Sequence, residues 1–168
     1  MPPRLRWVIV IALFLRSAVF AAAYFSLHNL QAFYAKDTWS YLQPAIELFA
    51  QGSYTMHGEP ELFRTPGYAL LLGAGIKLGQ IEFVTITLQI LLSCATTYLV
   101  FRIANELFDN ERTATWSALL YSLEPLSILS CSWLLSETLF TFVLAAALFC
   151  LLTFVRQREW TRLIFAAG

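Results

Sequence analysis

Long apolar runs alternate with short polar breaks along the chain, and the lengths of the runs predict its elements. About 20 apolar residues, rising about 1.5 Å each, cross about 30 Å of hydrocarbon as a helix. By that measure residues 7–27, 83–103, 113–134 and 138–155 are four predicted spans, with Arg16 in the middle of the first and Glu124-Pro125 at the centre of the third. A loop over 28–82 separates the first two. The breaks at 105–112 and 156–162 are short and charged. Residues 163–168 read as the start of a fifth span. The whole stretch 1–168 is expected to be a single membrane domain that has been truncated.

The long loop has its own periodicity. Tyr41, Leu42, Ala45, Ile46, Leu48 and Phe49 recur at helical spacing, with Ser40, Gln43, Glu47 and Gln51 on the other face and Gly52 as a stop. That pattern predicts an amphipathic helix lying along the membrane surface. Pro44 is expected to kink it, or to begin a shorter helix at its first turn. After Pro66-Gly67, Tyr68 to Leu78 is apolar but too short to span, which predicts a re-entrant or interfacial helix closed by Gly79.

Composition strengthens this picture. Hydrophobic residues make up 58% and charged residues 13% of the chain, against about 25% charged in a typical soluble domain. Such a chain cannot cover itself with polar surface, so the fold class expected is an all-α polytopic transmembrane helix bundle. Zero net charge excludes bulk attraction to nucleic acid. The three cysteines, Cys94, Cys131 and Cys150, lie in apolar segments without pairing or metal spacing and read as small buried hydrophobes. The basic N-terminus and apolar run resemble a signal peptide. The run is too long for one and Arg16 interrupts it, so it reads as a retained span.

Orientation follows from the arginines and lysines beside the spans. Arg4, Arg6, Arg102, Arg112, Arg156, Arg158 and Arg162 fall on one side, and Lys36, Arg64 and Lys77 on the other. The imbalance predicts a cytoplasmic N-terminus and an outward loop, with Glu137 on the same outer face as Asp37.

Candidate chemistry is sparse. There is no phosphate-binding glycine loop, no His-Glu-x-x-His and no cysteine cluster. His28 and His57 read as surface histidines, so no metal site is expected from the residues, although a divalent cation stays open as a cofactor. Asp37, ahead of a helical run, reads as a helix N-cap, a role that does not exclude catalysis. Glu137 opens the fourth span, where an acid also suits the helix dipole. Arg64 is either an interfacial anchor or an anion clamp. Phe33, Tyr34, Trp39, Tyr41, Tyr54, Phe63 and Tyr68 form an aromatic belt, in which one or two rings have the chemistry to stack on a sugar. Arg16 and Glu124 fall at similar depth, and a charge at mid-bilayer costs at least about 2.5 kcal/mol. They are therefore expected to lie together between the first and third spans, directly or through water.

Asp37-Thr38-Trp39-Ser40-Tyr41 after an arginine-bearing first span, Arg64-Thr65-Pro66-Gly67-Tyr68, and Leu135-Ser136-Glu137-Thr138-Leu139-Phe140 together resemble the N-terminal part of polytopic C-type membrane glycosyltransferases. The closest likeness is to bacterial relatives of protein O-mannosyltransferases and lipid A aminoarabinose transferases. The resemblance implies an enzyme of the bacterial plasma membrane whose active site lies on the outer face. It would pass a sugar from a polyprenyl-phosphate donor to a lipid, glycan or protein acceptor. It implies that Asp37 is the catalytic acid/base and Glu137 a second acidic group. Arg64, with Tyr41 and Tyr68, would serve the donor phosphate or substrate. The rival readings are a small transporter or flippase-like subunit, whose intramembrane charges line a path, and an inactive fragment that keeps the fold. Membrane lipid is a partner in every case.

Overall fold

The computed structural model describes residues 1–157 with their side chains and the helical backbone as far as Ala166. The architecture is an all-α bundle. Helix α1 spans Pro3–Leu27 and is followed by a single 3-10 turn, Leu30–Phe33, and helix α2, Thr38–Gln51. A two-stranded hairpin, β1 Thr55–Met56 and β2 Glu59–Pro60, leads to α3, Pro66–Leu78. Then come α4 Ile81–Phe108, α5 Glu111–Leu123, α6 Pro125–Ser130 and α7 Glu137–Ala166. Among the described residues three helices are long and apolar enough to cross a membrane: Pro3–Leu27, Ile81–Phe108 and the described part of α7, Glu137–Gln157. The chain is an integral membrane protein.

Packing shows how these helices run. Leu5 and Val8 of α1 pack with Phe101 and Ala104 of α4 and with Ala114 and Ala118 of α5. At the opposite end, Ala12 and Phe33 share a second core with Ile86 and Ile90 of α4, Leu42 and Ala45 of α2, Tyr68 and Leu72 of α3, and Leu134. Helices α1 and α4 are therefore antiparallel. Helix α7 returns alongside α4, since Arg156 near its far end bonds Glu106 at 3.0 Å. The loop elements α2 and α3 sit over one end of the bundle, and Arg4, Arg102, Arg112 and Arg156 mark the other.

The surface helix forms where its apolar spacing predicts. Gly52 and Gly79 close α2 and α3 in the left-handed conformation, at φ 76° and 67°, which costs glycine nothing. Pro44 does not interrupt α2, which continues on both sides of it. The proline is buried, and its missing N–H removes one helical hydrogen bond. The hairpin is unanticipated. It turns through His57 and Gly58, both at positive φ, and is tied down by Glu47, which the periodicity assigns to the solvent face of α2. Glu47 is buried instead, and its carboxylate accepts from the His57 and Gly58 N–H groups at 3.0 and 3.4 Å, from Gln43 Nε2 at 2.9 Å, and from the Thr55 hydroxyl.

The third predicted span, 113–134, is not one helix. Helix α5 stops at Leu123, and at about 1.5 Å per residue it is about 20 Å long, too short to cross. Glu124 adopts extended dihedrals, φ −66° and ψ 118°, as residues before proline do. Its carboxylate accepts from the N–H groups of Leu126 and Ser127 and so caps α6. After Ser130 the chain leaves helical geometry until Glu137. The passage from the Arg112 end to the Ser136 end is thus made in three pieces. Helix α7 begins at Glu137 as expected, but its helical backbone continues past Val155. The expected start of a fifth span at 163–168 lies outside the described residues.

Candidate functional site

Three stretches distant in sequence meet above the bundle. Arg64, in the turn before α3, lies between Asp37 at the start of α2 and Tyr41 one turn later. Its Nη2 is 3.6 Å from Asp37 Oδ2, and its Nη1 donates to the Tyr41 hydroxyl at 2.9 Å. The guanidinium carbon also lies 4.4 Å from the centre of the Tyr41 ring. Ser136, at the end of the irregular 131–136 segment, donates from its hydroxyl to the same Tyr41 oxygen at 3.0 Å. Tyr41 therefore joins the arginine of one stretch to the serine beside Glu137 of another.

Local structure explains why Asp37 is available. It holds the N-cap position of α2, but its side chain makes no capping hydrogen bond, and its dihedrals are already helical. The neighbouring Thr38 anchors this end of α2 instead. Its hydroxyl accepts from the Ala35 N–H at 2.9 Å and donates to the Leu134 carbonyl at 3.0 Å. Asp37 is left with 63% of its side-chain surface exposed and Arg64 with 30%, so both can be reached from outside. The ion pair is longer than a charge-assisted hydrogen bond, and the guanidinium retains N–H groups for a further anion.

Tyr68 supports the site from below. Its ring meets Tyr41 edge-on, with centroids 5.3 Å apart, and its hydroxyl donates to Gln89 Oε1 at 2.8 Å. Burial, and then the negative charge of Glu137, raise the pKa of Tyr68 and keep it protonated as that donor. Tyr68 is only 2% exposed, so its part is to hold Tyr41 and Gln89. Tyr34 anchors the loop at another point, donating to Glu82 Oε1 at 2.8 Å.

Glu137 is exposed, next to the Ser136 that bonds Tyr41. With Glu124, Ser93, Tyr121, Ser127 and Thr138 it lines a cavity of about 280 Å³ between α4, α6 and α7. A larger apolar groove of about 600 Å³, walled by Phe20, Tyr24, Phe25 and Phe83, contains none of the candidate residues. Among the described residues no group of three or more His, Cys, Asp or Glu side chains is arranged to hold a metal ion.

Arg16 and Glu124 make no direct ion pair; among the described residues the ion pairs are Arg64–Asp37 and Arg156–Glu106. Arg16 is fully buried and uses neutral acceptors: Ser93 Oγ at 2.7 Å, the Ala12 and Ser122 carbonyls at 3.2 Å, and Ser127 Oγ at 3.1 Å. Glu124 spends its carboxylate on the α6 N-terminus. The two residues meet through Ser127, whose hydroxyl takes the Arg16 bond and whose N–H gives to Glu124. Helix ends at a proline break supply enough acceptors that the arginine needs no carboxylate.

Sequence reading missed Gln89, the residue that links Tyr68 to the 131–136 segment. A signal was present. Thr85, Gln89, Ser93 and Thr97 recur every fourth residue in an otherwise apolar span, and all four are buried. A polar stripe at that spacing marks a helix face turned toward protein rather than lipid.

No curated protein and no solved structure matches the chain. Residues 63–168, well over half of the chain, match the dolichyl-phosphate-mannose-protein mannosyltransferase family. The matched stretch includes Arg64, Tyr68, Gln89, Ser136 and Glu137, while Asp37 and Tyr41 precede it. With its helical bundle, its apolar spans and this match, the chain belongs to the dolichyl-phosphate-mannose-protein mannosyltransferase family of membrane glycosyltransferases.

Proposed function

We propose that this chain carries the donor-side catalytic groups of a glycosyltransferase that takes a sugar from a polyprenyl-phosphate carrier at the non-cytoplasmic membrane face. The observation that carries the reading is the approach of Arg64 to within 3.6 Å of Asp37, because transfer from such a donor needs a base and a phosphate clamp within one site. The acceptor hydroxyl gives its proton to the Asp37 carboxylate as its oxygen bonds the anomeric carbon of the sugar. The bond from that carbon to the phosphate oxygen breaks, and the electron pair leaves with the polyprenyl phosphate. Arg64 holds the leaving phosphate through two N–H groups in fixed geometry, which a lysine cannot match. Glu137, entering from the start of α7, orients the acceptor or a cation.

Asp37→Asn tests this reading. The Asp37 side chain makes no capping bond, so the variant is expected to accumulate normally in the membrane. Transfer of mannose from a polyprenyl-phosphate donor into the lipid, glycan and protein fractions is expected to fall roughly 100-fold or more, the usual scale for a lost acid/base group. Near-normal transfer by the variant would remove Asp37 from the mechanism.

A further inference from the structure

We infer that Gln89 is a positioning residue that sets where Ser136 and Glu137 stand relative to Tyr41 and Arg64. As a statement about transfer, the inference rests on the function proposed above.

Gln89 is 0% exposed, on α4. Its amide nitrogen donates to the Trp133, Cys131 and Ser130 carbonyls at 2.8, 3.0 and 3.3 Å. Two N–H groups thus serve three carbonyls, all at or beyond the end of α6, where helical partners run out. The Trp133 carbonyl also accepts from the Leu135 N–H at 2.9 Å, whereas the bond to the buried Cys131 carbonyl has Gln89 as its donor. An unpaired buried carbonyl costs about 1–3 kcal/mol, so Gln89 favours one path for the segment. Its other fixed points are the Leu134 N–H, which donates to the Phe33 carbonyl at 3.0 Å, and the Leu134 carbonyl, bonded by Thr38.

The amide oxygen of Gln89 faces the opposite way and accepts from Tyr68. One side chain therefore closes a circuit: Gln89 to Tyr68, Tyr68 edge-on to Tyr41, Tyr41 to both Arg64 and Ser136, and Ser136 back through the segment to Gln89. A side chain that only filled space would not need both a donor and an acceptor directed at different parts of the site. Glutamine offers both from one planar group. A loss of the donors frees the segment that carries Ser136 and Glu137, and leaves Asp37 and Arg64 on their own elements.

Two variants test this in the full-length membrane protein, with amide hydrogen exchange and transfer measured on the same samples. Gln89→Met keeps the volume and removes the hydrogen bonds. Exchange at 131–136 is expected to accelerate, and kcat for transfer to fall about 10- to 100-fold with the donor KM held within about threefold, since misplaced groups lose rate rather than binding. Gln89→Glu, when protonated, again has one donor and one acceptor. Its loop protection and its transfer are expected to rise together as pH falls, with an ionisation absent from the parent protein and from Gln89→Met. Should Gln89→Met fail to accumulate, the acid-dependent recovery of Gln89→Glu decides the matter. Unchanged exchange at 131–136, or faster exchange with unchanged kcat, overturns the inference. If the parent protein moves no sugar from a polyprenyl phosphate, the proposed function falls instead, while exchange still reads whether Gln89 holds the segment.

Discussion

The Arg16 guanidinium donates at 3.2 Å to the carbonyl of Ser122, 106 residues away in sequence, in the last turn of α5. That carbonyl lies where the Glu124-Pro125 break ends the helix, so the arginine supplies a donor that the broken backbone lacks. Arg16→Met is expected to leave buried acceptors unpaired at about 1–3 kcal/mol each, seen as a clear loss of thermal stability in detergent. Arg16→Lys is expected to recover part of it, because a single ammonium cannot reach acceptors spread around a guanidinium fork. Exchanging the charges, Arg16→Glu with Glu124→Arg, is expected to restore nothing. Return of the melting temperature to the parent value in that double variant would show that the two side chains pair after all.

The hairpin should come loose in acid. Hydrogen bonds from Thr55 and Gln43 come first among the causes that lower the Glu47 pKa from its usual 4.5 to about 2. A carboxylate whose folded pKa is depressed stabilises the fold fully above its unfolded pKa and loses that contribution as pH falls through the folded value. Amide exchange at 55–58, corrected for intrinsic rate, is expected to stay level down to about pH 4.5 and then accelerate toward pH 2. Glu47→Gln is expected to exchange faster at neutral pH and to show no such acid step. Equal acid profiles for the two proteins would separate Glu47 from the hairpin's stability.

Orientation can be read independently of activity. Asp37, Arg64 and Ser136 stand at one end of the bundle, and Arg4, Arg102, Arg112 and Arg156 mark the other. With basic residues retained in the cytoplasm, a reporter fused after Gly52 is expected to be external, and one fused near Arg158 cytoplasmic. Both reporters on one side would move the proposed site away from the outer face.

Much of this protein is set by its sequence alone. Apolar run length determined α1, α4 and the start of α7, because hydrocarbon thickness fixes how many residues a spanning helix needs. The spacing of Leu42, Ala45, Ile46 and Phe49, ended by Gly52, determined α2. The Asp37, Arg64 and Ser136-Glu137 motifs carried the family. Tertiary structure decided the rest, and in each case the cause was a partner distant in sequence. Glu47 looks like a solvent residue until a hairpin folds onto it. Thr38 ties the start of α2, beside Asp37, to the Leu134 carbonyl. Pro125 breaks the third passage, and what settles the broken chain is distant: Arg16 takes the Ser122 carbonyl at the break, and Gln89 takes the carbonyls at the end of α6. A hydropathy pattern records how apolar each position is, and hydrogen bonds between helices leave only a faint trace in it, such as the four-residue stripe that contains Gln89.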